Sequence, residues 1–228
     1  MIKHKTGLLS VLLIFPLWAQ CQETVYDQDN HENHHTYMEY KITGVDTQEK
    51  VFTEFPFHQE LFCDDVRPYI RHIIDNHGMA EWRAGVLTNE IHGHLGIYAI
   101  IGMKMGIRAL EELDAEADHV NVISFAGTQP PVSCMNDGLQ VSTGATLGHG
   151  LISISNDENI RPEAVFSYNG SSVRLRLKTE YWNTIRNDVK TSAGRYGALT
   201  DPYWQDIRAH AIRYWGEWNR DEIFELIK

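Results

Sequence analysis

Apolar residues recur along the chain with two different periods, and the switch between them separates helical from extended segments. Residues 64–78 open on Asp64 and Asp65, carry Pro68 in a first turn, place Val66, Tyr69, Ile70, Ile73 and Ile74 on one face, and meet Gly78. This predicts a helix with its stop. A second helix is predicted over 80–87, after which Thr88, Asn89, Glu90 and Ile91 lead into His92. The clearest helix is 97–113, where Ala99, Gly102, Gly106 and Ala109 form a small-residue stripe beside Ile100, Met103, Ile107 and Leu110. Glycine costs about 1 kcal/mol against alanine inside a helix. Two at this spacing predict tight packing on a sheet or another subunit.

Alternation takes over at 119–125, 151–154 and 164–168, which read as strands, while Pro131 starts a helix through Gln140. Asn169-Gly170 is a hairpin turn signal. Beyond it Val173, Leu175 and Leu177 alternate with Arg174, Arg176 and Lys178, an antiparallel strand whose basic face is solvated or meets an anionic ligand. Residues 37–57 carry strand-prone side chains and predict a hairpin or extended segment ending near Pro56. Residues 181–228 look helical, with Asp201-Pro202 opening one helix and Tyr203, Trp204, Tyr214, Trp215 and Trp218 forming an aromatic packing surface.

The ends of the chain read differently. Lys3, His4 and Lys5 form a charged start, 8–17 an apolar run too short to span a bilayer, and Ala19 a small residue at a cut. Residues 1–19 are therefore read as a signal peptide, and the mature protein as exported to the periplasm or cell envelope. Cys21 would serve as a lipid anchor if the chain were instead a lipoprotein. Residues 20–36, with His31, His34 and His35, read as a disordered leader that is either a solvated tail or a metal-capturing tract.

At 228 residues, 43% hydrophobic and 11% aromatic, the chain suits one core, with or without an appendage. Removing 1–19 deletes two of the 20 basic and none of the 31 acidic residues, so the formal charge moves from −11 to −13. Such an acidic surface excludes nucleic acid and anionic membrane as partners. Cys63 and Cys134 are the only pair left for a disulfide once Cys21 is lipidated or frayed, so the core must come from burial.

The candidate chemistry lies between 92 and 150. On a continuous helix His92 and His94 would point about 200° apart, but on a turning backbone, which Gly93 and Gly96 favour, they can share one ion. The alternative is one histidine capping a helix and the other on the surface. Cys134 and Asp137 are three apart and can share a helix face, although a lone cysteine also reads as a buried structural residue. The segment Thr143-Gly144-Ala145-Thr146-Leu147-Gly148-His149-Gly150 adds hydroxyls and a third histidine, or is simply a flexible loop.

Taken in order, these segments resemble the FmdE family, which takes its name from formylmethanofuran dehydrogenase. Its motifs are a His-Gly-His-x-Cys-Pro-Gly entry to a glycine-bearing helix, a Cys-x-x-Asp-x-x-Gln helix and a Thr-Gly-Cys-Thr-x-Gly-Lys-Gly loop. The counterparts here are His92-Gly93-His94-Leu95-Gly96, with Gly102, Met105, Gly106 and Ala109 in the helix, then Cys134, Asp137 and Gln140, then Thr143 to Thr146 with Gly148-His149-Gly150. The resemblance covers about 85–180. Gly96 and Ala145 stand where the family has cysteines, Ile97-Tyr98 where it has Pro-Gly, and His149 where it has lysine.

The resemblance implies an α+β fold, here a mixed or antiparallel sheet packed by helices placed over 37–180, and the helical, aromatic-rich segment read above over 181–228 follows as an extension. It further implies a metal site, holding zinc or another divalent transition metal, and a homodimer. The cytosolic one-carbon role in the family name fits poorly with an export signal.

Three functional readings follow. In the first, His92, His94 and Cys134 bind the metal, Asp137 orients a ligand or takes a proton, and Gln140, Thr143 and His149 help hold the bound group, leaving a position open for hydrolytic chemistry. In the second, the protein is a carrier for a small molecule or metal complex, without catalysis. In the third, Cys134 is a nucleophile with a histidine as base.

Overall fold

Pro68 near its start and Gly93 just past its end bracket the first long helix, α1 (Arg67–His92). The computed structural model describes residue 52 and residues 54–227. The expected signal peptide, the leader with its histidines, Cys21 and most of the 37–57 segment lie outside the described residues. Gly78, at φ 86° and ψ 164°, is non-helical and divides α1 into two helical segments at a kink, the stop that its sequence predicts. The stretch 88–91, expected as a lead-in, continues the helix to His92. Gly93 then caps it in the left-handed conformation (φ 80°), its N–H donating to the Asn89 carbonyl at 3.0 Å.

Helix α2 (Ile97–Leu113) is buried along most of its length, and its glycine stripe has a definite partner. A Cβ on Gly102 would stand 2.0 Å from the Met135 carbonyl oxygen, and one on Gly106 2.0 Å from Ser142 Oγ. Both neighbours belong to helix α3 (Met135–Thr143). Gly138 of α3 answers them, since its Cβ would fall 2.1 Å from the Ala99 carbonyl oxygen. The close contact is therefore helix on helix within one chain, and neither a sheet nor another subunit is needed to explain the stripe.

The sheet runs β2-β1-β3-β4-β5, built from β1 (Asn121–Ser124), β2 (Ile152–Ile154), β3 (Glu163–Tyr168), β4 (Ser171–Leu177) and β5 (Phe224–Ile227). Strands β1 and β2 are parallel, joined through α3, and the other pairs are antiparallel. Asn169 (φ 47°) and Gly170 (φ 79°) make the tight turn their sequence predicts. Ala164 opposite Leu175 and Phe166 opposite Val173 form the buried face.

On the other face Arg174 and Arg176 of the basic stripe turn onto a carboxylate of the same sheet. Glu163, completely buried, receives Arg161 (Nε to Oε2, 2.9 Å), Arg174 (Nε to Oε1, 2.7 Å) and Arg176. A second buried ion pair joins Lys104 of α2 to Glu81 of α1, and Arg220 also reaches Glu81, at 3.0 Å. Charges this deep are retained only when paired.

The C-terminal third supplies α4 (Thr179–Tyr196), α5 (Asp201–Glu217) and the short α6 (Arg220–Ile223). Tyr203, Tyr214 and Trp215 of α5 are buried, and Trp215 stacks on Trp82 at 5.2 Å above Gly85, where a Cβ would collide with the indole. Residues 224–227 depart from the helical reading. They pair with β4, Leu177 opposite Phe224 and Arg174 opposite Ile227, because that strand would otherwise leave its backbone groups unpaired. The fold is α+β, with a helical region towards the C-terminus. Cys63 and Cys134 are free thiols rather than a disulfide. Among the described residues no helix is long and apolar enough to cross a membrane.

Candidate functional site

The site forms where α1 ends, α2 begins and α3 passes beside both. Gly93 turns the chain after His92, and Gly96 starts α2 with its N–H donating to Asn89 Oδ1 at 3.3 Å. Asn89 in turn donates to the Gly85 carbonyl at 2.7 Å, so its buried amide fixes the turn to the body of α1. Across this turn the two imidazoles are neighbours, with ring centroids 4.4 Å apart.

Gly96 shows how they converge. A Cβ built there would stand 3.0 Å from His92 Nε2 and 3.4 Å from His94 Nε2. Both nitrogens therefore border one small space, which the missing side chain leaves clear.

Asp137, in the first turn of α3, supplies the polar partner. His92 Nδ1 lies 2.6 Å from Asp137 Oδ2, so the ring donates from Nδ1 to the carboxylate. Its Nε2 is buried and has no hydrogen-bond partner. A buried ring nitrogen without a partner is an uncommon arrangement. Burial, and next the closeness of His92, push the His94 ring below its ordinary value, keeping it neutral near pH 7.

His92, Cys134, Asp137 and Gln140 line one cavity of about 390 Å³, together with the polar side chains of Thr128 and Asn136. Burial, reinforced by the Asp137 charge, raises the Cys134 thiol above its usual range. The sulfur is thus held as a thiol, which disfavours its use as a metal-free nucleophile. Gln140 turns its Oε1 to accept the Leu147 N–H at 3.1 Å.

Two expected residues lie apart from this cluster, bonded within their own loop. The buried Thr143 hydroxyl donates to the Leu139 carbonyl at 2.6 Å and accepts the Ala145 N–H at 3.1 Å, so it builds the loop. His149 is exposed and turned towards the Gly144 carbonyl at 3.1 Å and Asp118. Among the described residues no group of three or more His, Cys, Asp and Glu side chains is gathered closely enough to hold a metal ion. What the fold brings together is the pair of histidines, Asp137 behind one of them, and Cys134 on the same cavity wall.

Trp204 is the contribution that sequence reasoning missed. It approaches His94 edge to face, with centroids 5.4 Å apart, and with Leu95, Gln205 and Arg208 lines a second cavity of about 400 Å³. Its one signal in the sequence is its position beside Tyr203, which puts the two aromatics on different sides of α5. Tyr203 is buried and Trp204 is 41% exposed.

A family described as "FmdE, Molybdenum formylmethanofuran dehydrogenase operon" matches residues 91–225, which contain His92, His94, Cys134, Asp137, Gln140, Thr143, His149 and Trp204. A protein of Archaeoglobus fulgidus described as "Probable S-adenosyl-L-methionine-binding protein" is 33% identical over 64 residues, 27% of this chain and 18% of that protein. The chain thus spans less than a fifth of that relative's length.

Proposed function

The chain belongs to the FmdE family, and on that premise we propose that it binds a divalent transition metal, zinc foremost, through His92 and His94, with an open position at Gly96 for an exogenous ligand. One observation carries the proposal: His92 is anchored by Asp137 on Nδ1, while its buried, unpartnered Nε2 borders the same space as His94 Nε2. A carboxylate behind an imidazole fixes the tautomer with its lone pair outward and makes the ring a better donor. Cys134, on the wall shared with His92, is the nearest candidate for a sulfur donor, and would have to lose its proton to act as one.

Zinc, when bound, supplies Lewis acidity, which suits hydrolysis near neutral pH. The residues of the chain then have separate tasks. Asp137 orients His92, Asn89 holds the turn, and Thr128 and Asn136 offer polar contacts along the cavity. The charged start and apolar run of residues 1–19 support an exported location for this activity.

Metal analysis of protein purified without an affinity tag tests the reading. We expect about one zinc per chain, lost in His92→Ala and His94→Ala; equal metal in all three proteins would overturn it. Stoichiometric ligand uptake without turnover by the zinc-loaded protein would make it a carrier instead of a hydrolase.

A further inference from the structure

Helix α5 brings a tryptophan to the histidine pair although its own packing does not require one there. Thr200 caps the helix, its Oγ1 accepting the Tyr203 N–H at 3.3 Å, and Tyr203, Ile207, Ala211 and Trp215 bury the inner face. Trp204 falls outside that face. An indole left 41% exposed forgoes much of the stabilisation its burial would give. It nevertheless stands against His94 as one wall of the 400 Å³ cavity.

The chemistry of this cavity narrows its occupant. Arg208 is the one formally charged residue in its lining, and its guanidinium is already engaged by Asp65, with Nε to Oδ2 at 2.6 Å and Nη2 to Oδ1 at 3.0 Å. That carboxylate already balances the guanidinium's charge, so the cavity holds no net charge to draw an anion and suits an uncharged group. Indole, imidazole and leucine walls favour a flat apolar one, and the volume accommodates one or two rings. From His94 the next ring is His92, at 4.4 Å, and the small position a Cβ on Gly96 would fill borders both Nε2 atoms. A ring on Trp204 is therefore one imidazole away from the open position.

We propose that the cavity walled by His94, Leu95 and Trp204 is a recognition subsite for an uncharged aromatic ring, carried by a ligand whose oxygen, nitrogen or sulfur donor reaches the open position at Gly96. Trp204 is then the specificity-determining residue of the site. This inference rests on the metal-site reading given above, and its test separates the two.

The probes are benzohydroxamate and acetohydroxamate, which share one zinc-chelating group and differ in the ring. Calorimetric titration of the zinc-loaded wild type should show benzohydroxamate binding about tenfold more tightly. In Trp204→Ala the ratio should fall to within about twofold with zinc content unchanged, and Trp204→Phe should restore most of it. Zinc-loaded wild type that binds both probes equally, or Trp204→Ala that keeps the tenfold ratio, overturns the aromatic subsite and leaves the metal reading standing. A wild type that takes up no zinc overturns both.

Discussion

Asp137 and His92, 45 residues apart in sequence, meet at 2.6 Å between Oδ2 and Nδ1, joining the first turn of α3 to the last residue of α1. The bond leaves His92 Nε2 as the atom facing the candidate site. Replacing Asp137 by asparagine keeps the shape and removes the charge. We expect zinc affinity to drop about 10- to 100-fold, read by competition with a chromophoric chelator, with the circular dichroism spectrum unchanged. An unaltered affinity would remove Asp137 from the site.

The approach of α2 to α3 is sensitive to one methyl group. In Gly102→Ala the added carbon would lie 2.0 Å from the Met135 carbonyl oxygen, so the helices must separate. Alanine's better helix propensity, about 1 kcal/mol, offsets only part of this. A net loss of roughly 2 kcal/mol and a Tm lower by about 4–8 °C are expected. Gly194→Ala on α4, where nothing lies within 4 Å of the new carbon, should instead leave Tm level or slightly higher.

Glu163 sets an acid limit to stability. Burial alone would raise its carboxyl, but the guanidiniums of Arg161, Arg176 and Arg174 outweigh that and hold it below the ordinary value. A depressed folded-state value contributes stability that is complete above the unfolded value, about 4.3, and fades as pH falls through the folded one. Glu163→Gln should cost on the order of 3 kcal/mol near pH 7, somewhat less than a fully buried network because Arg174 and Arg176 are partly exposed. In urea unfolding, the gap between wild type and variant should persist to about pH 5 and narrow below about pH 4.3. A gap that widens in acid would contradict this assignment.

Cys134 should be a slow nucleophile. Its thiol is raised first by burial and then by the Asp137 charge, so iodoacetamide near pH 7 is expected to modify the exposed Cys63 well before it. Asp137→Asn removes the second cause and should speed alkylation of Cys134. Rapid, stoichiometric modification in the wild type at neutral pH would instead revive cysteine chemistry.

Much of the helical framework was legible in the amino-acid sequence because local physics governs it. Pro68, the apolar period and the glycine turns mark where helices start, bend and stop, and Asn169-Gly170 marks its hairpin. The glycine stripe of α2 announced a close neighbour, but periodicity carries no address for that neighbour, which proved to be α3. The fate of the basic strand was likewise open, because a carboxylate one strand away looks no different in sequence from any other glutamate. Lys104, apolar in its neighbours and charged at its tip, gave no sign that Glu81 would receive it.

For the site, sequence determined the ingredients: two histidines parted by a glycine that must turn, and a Cys-x-x-Asp pair at a helix start. Only tertiary structure decided their relations. It set Asp137 behind His92, cleared the space at Gly96, left Thr143 and His149 to build their loop, and brought Trp204 from α5 to His94. Backbone conformation is written in neighbouring residues, whereas which side chains meet depends on how the helices pack across the whole chain.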